Sequence, residues 1–178
     1  GGSATVDAAT GIMQALGVKF YDHNADELQN LPASLINLHR INLSGIDKRL
    51  QDTELIVLCD VENTLLGSNG AATTFGPQKG ASEKDVQQLE NAVARFRSVI
   101  FDKTGKDMAA VKYGGAAGGV AAGLYALMEA KLVNGIDFFL DLTGFDTALQ
   151  QADLVITGEG SIDTQTLQGK APFGVAKR

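Results

Sequence analysis

Cys59 is the only cysteine in 178 residues, so no internal disulfide can form. It lies in the apolar run Leu55-Ile-Val-Leu-Cys59, which reads as core packing in a reducing, cytoplasmic compartment. Basic residues are few as well: 15 lysines and arginines stand against 21 aspartates and glutamates, for a net charge of −6. They are scattered singly, with no basic stripe, which argues against nucleic-acid binding. No apolar run approaches the roughly 20 residues a membrane-spanning helix needs. An acidic chain can still hold an anion, but only where glycine-rich turns, a lysine or a metal provide for it.

The length suits one domain, or one large part of a two-domain protein, with enough residues to bury a core. Gly1-Gly2-Ser3-Ala4-Thr5-Val6-Asp7 is a turn-forming, helix-starting string with no strand ahead of it, and Gly174 to Arg178 stop inside a helical pattern. Residues 1–178 are therefore expected to be a single α/β domain of a longer protein. Ile12, Met13 and Leu16, with Asp7 ahead and Gly17 behind, predict a helix over residues 4–16. Val18 to Tyr21 and Leu55 to Cys59 predict strands. Ser82-Glu-Lys-Asp85 has the spacing of a helix cap, and Val86, Leu89, Val93, Phe96 and Ile100 recur at steps of three or four after it.

Further along, Gly114 to Gly119 leads into the nearly all-apolar stretch Val120 to Met128, a buried helix whose glycines suit close packing. Ile136 to Leu140 is ambiguous between strand and helix, and its spacing favours helix. Leu154, Val155 and Ile156 form a short β-branched run, expected as a strand covered on both faces. A last helix begins near Gln165 or Pro172. That order predicts an α/β fold with a largely parallel sheet.

Two of the expected strands end in acid-bearing loops, Asp60-Val-Glu-Asn63 and Thr157-Gly-Glu-Gly-Ser-Ile-Asp163. Open α/β sheets place ligands at the carboxyl ends of their strands, so Asp60, Glu159, Asp163 and the nearby Lys170 are candidate site residues. Converging carboxylates suit Mg²⁺, which takes one or two of them and keeps water and phosphate oxygens for the rest of its shell. The alternative is that the acids cap turns and helix starts. Gly158 and Gly160 let backbone N–H groups approach a phosphate. Lys79, in the turn Phe75-Gly-Pro-Gln-Lys-Gly-Ala81, either steadies an anion or is simply solvated. Thr5 and Asp7 read as capping residues, and His23, His39 and Tyr113 as structural. A helix N-terminus gives an anion about 0.3–1 kcal/mol, up to about 2 when partly buried, whereas micromolar binding needs about −8 kcal/mol. A nucleotide here would need lysine and Mg²⁺ as well as glycine loops.

In order along the chain stand Gly-Gly-Ser-Ala-Thr-Val-Asp at 1–7, Cys-Asp-Val at 59–61, Phe-Gly-Pro-Gln-Lys-Gly-Ala at 75–81, Gly-Ala-Ala-Gly-Gly at 115–119, Ala-Asp-Leu-Val-Ile-Thr-Gly-Glu-Gly at 152–160 and Gly-Lys-Ala-Pro at 169–172. This series resembles the type 1 glycerate kinases across essentially all 178 residues. It departs from them at Val6, where asparagine is expected, and at Thr64, where proline is expected. The resemblance implies part of a two-domain kinase with a Rossmann or flavodoxin-like sheet, which phosphorylates D-glycerate with ATP and Mg²⁺ to 2-phosphoglycerate or its 3-phospho isomer. It implies Asp60 and Glu159 at the metal, Lys79 and Lys170 at phosphate or carboxylate, and Asp7 or Asp163 at the reacting hydroxyl. Gly2, Ser3, Thr5, Gly158 and Gly160 would line the substrate and nucleotide site. Self-association as a homo-oligomer is compatible with it. The competing reading is a non-catalytic small-ligand-binding or subunit-association module.

Overall fold

Leu55 to Cys59 supplies the strand at the centre of the ligand-bearing region: β3 (Ile56–Cys59) pairs in parallel with β4 (Lys131–Asn134), Ile56 opposite Lys131 and Cys59 opposite Asn134. The computed structural model describes residues 3–50, 52–160, 162, 166 and 170–178. Parallel strands need a long crossover. Here it runs through α2 (Ala71–Phe75), α3 (Glu83–Thr104) and α4 (Ala116–Met128). A second ladder, β1 (Lys19–Tyr21) with β2 (Arg40–Asn42), is antiparallel. Helices α1 (Thr10–Ala15), α5 (Gly135–Leu142), α6 (Phe145–Leu149) and α7 (Ala171–Lys177) complete the set.

The main core forms where the apolar stripe of α3 meets the β1–β2 side of the molecule. Val93, Phe96 and Ile100 are buried there with Phe20, Leu35 and Leu38, and the rings of Phe20 and Phe96 lie tilted with centroids 6.2 Å apart. A smaller cluster of Cys59, Ala116 and Ala121 seals β3 against the start of α4. The α3 start is a reciprocal cap. Ser82 Oγ accepts from the Asp85 N–H, and Asp85 Oδ2 accepts from the Ser82 N–H at 2.9 Å. Ser82→Ala removes the hydroxyl half of that exchange and should cost about 0.5–2 kcal/mol. The loss is expected as a lower urea midpoint at unchanged denaturant slope.

Several expectations need correction. The first helix starts at Thr10 rather than near Ala4, because Ala8 (φ 49°) and Ala9 (φ 68°) are left-handed and turn the chain before it can coil. The sheet is not largely parallel: the described strands divide into one parallel and one antiparallel pair. β4 was not expected at all, since Lys131-Leu-Val-Asn134 is short and half polar. Leu154 to Ile156 form no strand among the described residues. Leu154 and Ile156 are 76% and 87% exposed, and no backbone–backbone hydrogen bond among the described residues holds residues 153–159. Strand propensity describes surface that fits a ladder, and without a neighbouring strand to pair with, the run stays open. Leu58 in β3 and Phe139 in α5 are likewise exposed. Among the described residues no helix is long and apolar enough to cross a membrane.

Candidate functional site

β3 ends at Cys59 and β4 at Asn134, and beyond these carboxyl ends opens a hollow of about 820 Å³. That is where an open α/β arrangement puts its ligand. Ser3, Asp60, Lys79, Gly118, Glu159 and Lys170 all contribute to its lining. A smaller hollow of about 430 Å³ lies elsewhere, and its charged residues Glu54, Lys131 and Glu129 are each committed to ion pairs, Glu54 with Lys131 and Glu129 with Lys106.

Each wall of the larger hollow is set by local chemistry. Asp60 directly follows the strand and is exposed. Its charge and, more strongly, burial push the Cys59 thiol up to about 11, so that sulfur stays protonated and inert at neutral pH. Glu62, three residues into the same loop, is drawn off to Lys112 at 2.8 Å. Lys79 ends the 3₁₀ turn Pro77–Lys79, which Gly80 closes in a left-handed conformation with φ 91°. Its ammonium donates to Ser3 Oγ at 2.9 Å and to the Thr5 carbonyl at 2.8 Å. Burial holds its pKa below the ordinary lysine value, and the charge of Asp7 works the other way.

The glycine string 114–119 is the part of the site that sequence reasoning assigned mainly to packing. It serves both ends. Ala117, Gly118 and Gly119 are left-handed in succession, with φ of 53°, 71° and 89°, so the regular part of α4 starts only beyond them. The Ala117 and Gly118 N–H groups have no acceptor among the described residues, and both residues line the hollow. A glycine turn leading to a helix N-terminus can cradle an anion. On the packing side, a Cβ on Gly118 would strike the Thr5 carbonyl oxygen, and one on Gly123 the Ala8 carbonyl oxygen. The Ala8 N–H in turn donates to the Gly118 carbonyl at 3.2 Å. Absence of side chains at these positions, rather than presence of charge, was the available signal.

Of the residues singled out from sequence, the structure thus brings Ser3, Asp60, Lys79, Glu159 and Lys170 to one hollow. Lys170 stands at the N-cap of α7. Asp7 is not among the lining residues: its two carboxylate oxygens accept from the Ala9 and Gly11 N–H groups at 3.3 and 3.1 Å, holding the turn that leads into α1, whose N-cap position is Ala9. Thr5 takes part through its carbonyl. Gly158 and Gly160 are exposed with open space around them. Gly2 and Asp163 lie outside the described residues. Gln78, Ile136 and Phe139 line the hollow without having been singled out. For a divalent cation the donor set is the two exposed carboxylates of Asp60 and Glu159, and no group of three or more metal-binding side chains occurs among the described residues. Two oxygen donors with room for water and phosphate fit Mg²⁺, and lack the closed shell that a structural Zn²⁺ requires.

The sequence model of the Glycerate kinase family matches residues 1–178. A glycerate kinase of Halalkalibacterium halodurans is 44% identical over 99% of this chain and 47% of its own length, and a glycerate 2-kinase of Escherichia coli K12 is 44% identical over 99% and 46%. The chain thus spans about half the length of the curated relatives it matches. A crystal structure of a protein from Salmonella typhimurium LT2 superposes with a TM-score of 0.85 at 44% identity, over 99% of this chain and 47% of that one. With a match from its first residue to its last and relatives at this level of identity, the chain belongs to the glycerate kinase family.

Proposed function

We propose that the protein carrying this chain transfers the γ-phosphoryl group of ATP to a hydroxyl of D-glycerate, and that the hollow beyond β3 and β4 is part of the site. The observation that supports this most is the gathering of Asp60, Glu159, Lys79, Lys170 and the α4 turn around one opening, from segments up to 167 residues apart in number, Ser3 to Lys170. Phosphoryl transfer needs positioning and charge neutralisation more than covalent chemistry. The N–H groups of Ala117 and Gly118, without an acceptor among the described residues, would donate to phosphate oxygens, and Lys170 would face the phosphate or the glycerate carboxylate. Asp60 and Glu159 would hold Mg²⁺, which neutralises phosphate charge when bound. We assign orientation of the reacting hydroxyl to Asp163 in preference to Asp7, because both oxygens of Asp7 already accept backbone N–H groups at the start of α1.

In this reading residues 1–178 form one α/β unit of a two-domain, cytoplasmic kinase. The β3–β4 pair is the kernel of its Rossmann or flavodoxin-like sheet, and the remainder of the protein covers Leu58, Leu154 and Ile156. The full-length enzyme, assayed with ATP, Mg²⁺ and D-glycerate by a method that resolves the two phosphoglycerate isomers, should form one of them. Calorimetric binding of both substrates without turnover would instead support the non-catalytic module.

A further inference from the structure

The ammonium of Lys79 spans 76 residues of sequence to reach Ser3 and 74 to reach Thr5. It is the only polar side-chain tether on residues 3–5 among the described residues. The segment it holds then enters the core at Val6, which is 4% exposed, and interlocks with the α4 turn through Ala8 and Gly118. The tether is mounted on a stiff support. Gly76, Pro77 and Gly80 tie the 3₁₀ turn to itself through the Lys79 N–H to Gly76 carbonyl bond at 2.9 Å and the Ala81 N–H to Gly76 carbonyl bond at 3.1 Å. A Cβ on Gly76 would strike the Ala72 carbonyl oxygen, so the turn is fitted closely onto α2.

An ammonium has three N–H donors, and two of them are taken here by protein oxygens. That occupancy ties the ammonium to protein oxygens and leaves one donor. We propose that Lys79 is a positioning residue: it clamps Ser3 and Thr5 across the rim of the hollow and thereby fixes the α4 anion turn that Thr5 and Ala8 pack against. The inference rests on the kinase reading for its catalytic consequence, while the clamp itself stands on geometry alone. A misplacement of about 1 Å at a distance from the chemistry can cost roughly 100-fold in rate, so loss of the clamp should show in turnover more than in substrate affinity.

The test compares Lys79→Met, Lys79→Arg and Ser3→Ala in the full-length enzyme, by steady-state kinetics and amide hydrogen exchange. Lys79→Met should accelerate exchange at Ala8, Ala9 and Thr10 by about tenfold or more while α3 is unchanged. It should lower kcat by roughly 10- to 100-fold with the KM values for D-glycerate and ATP within about threefold of wild type. Lys79→Arg, which keeps charge and donors, should recover most of the loss. Ser3→Ala should show a weaker form of the same pattern, and Lys79→Met with Ser3→Ala together should be no worse than Lys79→Met alone, as expected for partners in one interaction. Should Lys79→Met not fold, Ser3→Ala carries the test by itself. A rise in KM of about tenfold with exchange unchanged would make Lys79 a direct ligand and overturn the proposal. So would faster exchange with kcat intact, or no change in either. If the enzyme does not phosphorylate D-glycerate at all, the kinase reading falls, and the exchange measurement still decides whether the clamp exists.

Discussion

Gly118→Ala should lower the melting temperature of residues 1–178 by about 5–15 °C, following from a loss of about 2–5 kcal/mol in a unit of this size. Two costs add. The residue has φ 71°, where an L side chain costs about 1–2 kcal/mol. The new Cβ would also meet the Thr5 carbonyl oxygen, a backbone atom that cannot rotate away, and overpacking of this sort costs about 1–3 kcal/mol. Gly80→Ala separates the two. Gly80 has φ 91° and nothing within 4 Å of where a Cβ would stand, so only the conformational cost applies. Gly119→Ala should fall between them, because its Cβ first meets Leu65 Cδ1, a side-chain end rather than a backbone oxygen, although the burial of Leu65 and the Ala8 Cα at 3.1 Å limit the relief. Thermal unfolding of the three variants gives the order directly. Equal losses at Gly118 and Gly80 would mean that the Thr5 segment is not fitted against the α4 turn in solution.

That fitted corner also shows where the sequence was legible and where it was not. The elements governed by local chemistry were readable: the Ser82 cap, the α3 stripe, the β3 run, and helix over strand for Ile136 to Leu140, where Asn134 caps α5 by accepting from the Asp137 N–H at 3.0 Å. Elements governed by distant partners were not. β4 owes its existence to β3, 75 residues earlier at the paired Ile56 and Lys131. Leu154 to Ile156 has strand composition and no ladder among the described residues. The same division runs through the site. Asp60 and Glu159 could be placed together from the rule for strand ends, although the strand expected before Glu159 is absent among the described residues. Lys79 could be seen as presented by a rigid turn, but that its donors go to Ser3 and Thr5 depends on a contact between segments more than 70 residues apart. Asp7 carried both a capping signal and a family expectation, and its bonds to Ala9 and Gly11 follow the capping signal.

Asp60→Asn in the full-length enzyme should raise the Mg²⁺ concentration for half-maximal activity by about 10- to 100-fold, the range found when groups that support a metal site are removed. The substitution is nearly isosteric at an exposed position, so stability should change by less than about 0.5 kcal/mol. A rate loss on its own would not identify the cause, because any disturbance of the hollow lowers turnover. Cys59 offers an internal reporter of the charge. Its thiol is held up at about 11 by burial first and by Asp60 second. Removing the carboxylate should therefore bring the thiol pKa down part of the way, since burial remains, and the ultraviolet absorbance of the thiolate against pH would show it. Glu159→Gln should produce the same shift in Mg²⁺ requirement and leave Cys59 where it is, as Glu159 is not among the causes acting on that thiol. The pair of variants separates two kinds of failure. If the thiol moves with Asp60→Asn while the Mg²⁺ requirement does not, the charge of the carboxylate reaches Cys59 but the carboxylate does not hold the metal. If both variants leave the Mg²⁺ requirement unchanged, the assignment of the cation to this pair is wrong, and the acids of the strand-end loops act on the fold alone.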